Sequence, residues 1–141
     1  MKNILKNKVT IVNFIETLVC IFLVIGINFW FHACMKKDDG TYMNCHNAEV
    51  IIKGLSIVLL LMAVAKIFLP NLTKLGLAIS STLTSLFMTL VPNTLISLCM
   101  MDSMRCHKFM KPYTIVFGIV LICINLFTIC LILYKEKEKQ K

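Results

Sequence analysis

Four stretches of this chain run for some twenty residues each with almost no charge, and that pattern leaves few folds open. They are about Val9–Phe31, Glu49–Leu69, Leu75–Leu98 and Tyr113–Tyr134. A helix needs roughly 20 mostly apolar residues to cross the hydrocarbon core of a bilayer. In lipid the backbone must satisfy its own hydrogen bonds, and a helix does so within one segment. The stretches are too long and too continuously apolar for the alternating strands of a membrane barrel. Composition agrees: the chain is 58% hydrophobic, 16% charged and has a mean hydropathy of +0.82, too apolar for a soluble domain of 141 residues. The expectation is one all-α membrane domain over residues 1–141, with four transmembrane helices arranged as two tandem hairpins.

The first stretch begins with Lys2, Lys6 and Lys8, as a signal peptide would. It is long, however, and ends at Trp30 and Phe31, as a span ends at an interface. No A-x-A-like site follows, and Phe31-His32-Ala33 before Cys34 is a poor lipoprotein cleavage site. It reads as an uncleaved first span.

The net charge of +8 is arranged for a membrane and not for nucleic acid. With four crossings, Lys2, Lys6, Lys8, Lys66, Lys74, Lys135, Lys137, Lys139 and Lys141 fall on one side. Lys36, Lys37, Lys53, Arg105, Lys108 and Lys111 fall on the other. Nine against six puts both termini in the cytoplasm by the positive-inside rule. The expected setting is the cytoplasmic membrane, with the basic termini drawn to anionic lipid.

The link Pro70–Lys74 is tight and makes spans two and three antiparallel neighbours. The outer loops, about 32–47 and 99–112, read as copies of one pattern. The first holds Cys34-Met35 and then Met43-Asn44-Cys45-His46. The second holds Cys99-Met100 and then Met104-Arg105-Cys106-His107. Matching C-M and M-x-C-H at the same place in each half points to an internal repeat about an axis along the membrane normal.

These features resemble a family of small bacterial and archaeal membrane proteins, domain-of-unknown-function family 4418. The resemblance rests on the size, the four spans, the M-x-C-H after span one, the Glu49 that follows it and the second M-x-C-H before span four. It covers about Cys34 to Cys130. It implies a four-span fold. Genes of this family often sit beside ABC-transporter genes, which implies an accessory role. The family carries no established reaction.

Seven cysteines fall into two classes. Cys20, Cys123 and Cys130 lie inside spans and read as small packing residues. Cys34, Cys45, Cys99 and Cys106 lie in the outer loops, where disulfides persist. Four cysteines allow three connectivities. The leading reading pairs Cys34 with Cys45 and Cys99 with Cys106, as staples on each hairpin. The second reading is thiol–disulfide exchange, because quinone-linked membrane oxidases of disulfide formation share the four-span plan with outer cysteine pairs. His46 and His107 beside Cys45 and Cys106 would favour thiolates. Against it, no C-x-x-C is present. The third reading is a copper, zinc or haem site on Cys45, His46, Cys106 and His107. It needs irregular backbone at Cys45-His46, since adjacent helical residues diverge by about 100°.

Within the spans, Glu16 lies about two turns deep, and a carboxylate there is a functional candidate by default. The plainer account has it reach the cytoplasmic interface or pair with Lys66 or Lys74. Glu49 and Lys53 are spaced for a local ion pair. Span three is rich in Ser and Thr, which let membrane helices approach closely, and Pro92 is expected to kink it. There is no nucleophile elbow, phosphate-binding loop, zinc-protease motif or paired catalytic carboxylates. The sequence therefore points to an accessory or interaction subunit rather than an enzyme. Its expected partners are lipids and a larger membrane protein such as an ABC transporter, or a second copy. No cofactor is expected, with quinone, metal or haem entering only under the second and third readings.

Overall fold

The computed structural model describes residues 2–30, 44–92, 94–96 and 106–140. Four α-helices account for nearly all of them: α1 Lys2–Phe29, α2 Asn44–Phe68, α3 Asn71–Leu90 and α4 Lys111–Gln140. A single π-helical turn, Cys106–Met110, leads into α4. Among the described residues, three segments are long and apolar enough to cross a membrane: Lys8–Phe29, His46–Phe68 and Lys108–Lys137.

Buried positions recur every three or four residues along each helix, which gives each one inward seam. On α1 they are Val9, Asn13, Glu16, Cys20, Leu23 and Ile27; on α4 they are Met110 just ahead of it, Thr114, Leu121, Asn125, Thr128 and Ile132. This spacing lets four helices close around a common core. α1 packs on α2 and α4, and α3 packs on the same two. Neighbours run antiparallel: the end of α2 meets the middle of α1 through Lys66 and Glu16, and Tyr113 at the start of α4 reaches Phe22, further along α1.

Association of helices in lipid gains little from the hydrophobic effect and depends on close packing and hydrogen bonds. The seams are accordingly rich in small and hydroxylated residues, among them Ala48, Ala63, Ala78, Ser56, Ser81 and Ser85. Two glycines set the helix separation. A Cβ on Gly26 would overlap the Tyr113 hydroxyl, which donates to the Phe22 carbonyl at 2.8 Å. A Cβ on Gly118 would overlap the Thr89 methyl on α3.

The element ends correct several expected boundaries. Pro70 has extended backbone (φ −69°, ψ 161°) and sits just ahead of α3, where its missing N–H costs nothing. α3 therefore starts at Asn71 and not at Leu75. It stops at Leu90 instead of continuing through a kink at Pro92 to Leu98. Proline cannot return an N–H to the carbonyl four residues back, and its ring crowds that carbonyl. The chain responds with two wide turns, Leu95 N–H to Leu90 O at 3.2 Å and Ile96 N–H to Val91 O at 3.1 Å. The outer segments are also more helical than expected. α2 already begins at Asn44, within the 32–47 loop, and the π-helical turn occupies most of the end of the 99–112 loop.

Candidate functional site

The core divides along its length. An apolar cluster, including Leu23, Ile27, Ile52, Met88 and Met110, fills the half toward the start of α2 and α4. At the other half, nearer the chain termini, a layer of polar side chains replaces it. Asn13 and Glu16 come from α1, Lys66 from α2, and Asn125 and Thr128 from α4, all essentially inaccessible.

Lys66 is the centre of this layer. Its Nζ lies 2.7 Å from Glu16 Oε1 and also donates to Asn125 Oδ1. The ammonium is 0% exposed and the carboxylate 1% exposed, so neither charge meets solvent or lipid. Asn125 is oriented for this contact because its Nδ2 donates to Leu121 O at 2.9 Å, which turns its oxygen toward the lysine. Asn13 Nδ2 faces the Lys66 carbonyl at 3.5 Å, and Thr17 returns its hydroxyl proton to Asn13 O at 2.9 Å. Three helices are thus joined through one side chain. Two acceptors in the layer, Asn13 Oδ1 and Glu16 Oε2, have no hydrogen-bond donor among the described residues.

Of the two lysines within sequence reach of Glu16, the bundle chooses Lys66. Lys74 is buried on α3 with contacts of its own. Besides Thr128, the layer contains two further residues that were not singled out from sequence, Asn13 and Asn125. Both are amides on the seam of a span, and Asn13 stands three residues before Glu16 on the same face. That spacing was the available signal.

At the opposite end, Glu49 pairs with Lys53 at 2.7 Å, the i, i+4 contact their spacing suggested, and His46 Nδ1 stands 3.8 Å from Glu49. Cys34 and Cys99 lie outside the described residues. For Cys45, Cys106 and His107 only the backbone is described: Cys45 is the second residue of α2, and Cys106 and His107 open the π-helical turn. The backbone at Cys45 and His46 is regular helix. Among the described residues no three His, Cys, Asp or Glu side chains gather as a metal site would need. Cys20 is buried in the apolar cluster, and Cys123 and Cys130 are exposed on the outer face of α4. All three are free thiols.

Three apolar crossing helices, packed with a fourth around a buried ion pair, define a small helical membrane-spanning protein. The chain belongs to the family described as Domain of unknown function (DUF4418), whose model matches residues 16–131. No curated protein and no solved structure matches it.

Proposed function

We propose that this protein is a four-span accessory subunit of the cytoplasmic membrane that works through the end of the bundle carrying its two cysteine segments. The observation that carries this reading is that α2 and α4 begin at the same end. Cys45 in α2 and Cys106 in the turn before α4 therefore lie at one end of the bundle, one from each half of the chain. Asn44, Cys45 and His46 of the first motif open α2, and Cys106 and His107 of the second open the turn before α4.

The buried charges support an accessory role over transport. Glu16 and Lys66 neutralise each other inside the bundle, so this pair presents no net charge to attract an ion. α3 is read as the fourth crossing. Its twenty residues rise about 30 Å, the thickness of the hydrocarbon core. Its outward face carries Ile79, Leu83, Leu86 and Phe87, while Thr82 and Thr84 bond back to their own helix. With that crossing, both termini share the cytoplasmic side. In this proposal the outer bridges are Cys34–Cys45 and Cys99–Cys106, and the partner is a larger membrane protein such as an ABC transporter.

Mass-spectrometric mapping of cysteines in protein from its native membrane, together with gentle co-purification, tests this reading. The expected result is two bridges present in every molecule and a stable association with a larger membrane protein. Partial oxidation, or a mixed disulfide with another protein, would replace the accessory reading with thiol exchange. A monodisperse monomer at native expression levels would remove it.

A further inference from the structure

Hydrogen-bond valence in the polar layer does not close on the atoms of the described residues. A lysine ammonium has three protons and no acceptor. Lys66 gives one to Glu16 Oε1 and one to Asn125 Oδ1, and no described residue takes the third. On the acceptor side, Glu16 Oε2 and Asn13 Oδ1 are buried without a donor among the described residues. Their residues stand i, i+3 on α1, so their Cβ atoms are about 5–6 Å apart on one face. The Asn13 amide cannot simply be turned over. Its Nδ2 faces the Lys66 carbonyl, and a flip would set two oxygens against each other. The open valences are thus two acceptors and one donor within the same buried layer. A polar atom left unsatisfied in a buried site is costly.

We propose that one water molecule is a resident ligand of this layer. It donates to Glu16 Oε2 and Asn13 Oδ1 and accepts the third proton of Lys66 Nζ. Water has two protons and lone pairs to spare, so the count closes on every atom. A cation does not match, because the ammonium already occupies the positive position and would repel it. An anion does not match either, because both open side-chain oxygens are acceptors. The bound species is therefore a small neutral donor. Asn13 becomes its positioning residue, and the layer becomes a hydrated site enclosed by helices.

Solid-state NMR on the full chain in lipid bilayers tests this. Short-mixing transfer from water protons to the side-chain nitrogen of Lys66, assigned by its loss in Lys66→Met, is expected in the native protein. In Asn13→Leu the transfer should fall to background while the Lys66–Glu16 contact persists. Absence of transfer in the native chain overturns the proposal, as does transfer unchanged by Asn13→Leu. Dependence of the signal on sodium or potassium would also overturn it by assigning the site to a cation. If Asn13→Leu does not insert, a high-resolution structure of the unaltered chain in lipid decides. Water density within reach of all three groups supports the site. Glu16 Oε2 and Asn13 Oδ1 both resting on protein donors removes it.

Discussion

Lys66 stands two residues from the end of α2. A lysine so placed ordinarily extends its apolar stem outward and keeps the ammonium at the interface. Here the side chain turns inward, against the desolvation penalty, because Glu16 and Asn125 meet it with good geometry. Removing one member of such a pair leaves the other charge buried and unmatched, which is expected to cost roughly 3–5 kcal/mol. Lys66→Met and Glu16→Leu should each show this loss in unfolding from mixed micelles. The double variant should recover most of it, since an apolar pair of similar volume leaves no charge behind. Independent single effects that simply add in the double would show that the two groups do not act together.

The helices pack as closely as their glycines permit. Gly118→Val would drive a side chain into Thr89 and spread α3 from α4, at about 1–3 kcal/mol for overpacking of this kind. Gly54 and Gly76 have nothing within 4 Å of a built Cβ, so Ala at either should be neutral or stabilise by up to about 1 kcal/mol through helix propensity. A Gly118→Val protein that melts like the Gly54→Ala protein would refute the close α3–α4 contact. At this scale the sequence was legible where one physical effect dominated. The apolar runs announced α1, α2 and α4, because crossing lipid demands length and hydropathy. The end of α3 was misread because Pro92 can kink a helix or stop it, and the wide turns at Leu95 and Ile96 decide between these. The polar layer was only half legible. Glu16 and Lys66 stand out as charges in apolar runs, but Asn13 and Asn125 acquire meaning only when bundle register sets residues 53 and 59 positions away against Lys66.

For the molecule as a whole, orientation and bridging are the open quantities that experiment can fix. A membrane-impermeant thiol reagent, applied to intact cells after mild reduction, should label Cys34 and Cys106. Labelling only after the membrane is opened would invert the proposed topology. If the outer bridges are independent staples, removing Cys34 and Cys45 together should lower stability, removing Cys99 and Cys106 together should lower it by a similar amount, and the losses should add because the sites share no partner. Activity in the cell should then track protein level. An abundant, correctly inserted Cys45→Ser variant without activity would instead show that the two segments act as one chemical unit.

The buried pair also dictates an order of events at the ribosome. Glu16 is synthesised fifty residues before Lys66, a delay of roughly 3–10 s at ~5–20 residues per second. Throughout that interval the first span carries a carboxylate with no counter-charge, and its transfer into lipid alone is disfavoured. The unit that enters the bilayer should therefore be the α1–α2 hairpin, with α1 waiting at the translocation channel until Lys66 emerges. Nascent chains arrested before Lys66 should leave α1 extractable by alkali, and chains arrested after it should not. Glu16→Leu should abolish the difference. On this expectation the salt bridge sets the timing of membrane entry as well as joining α1 to α2 in the finished bundle.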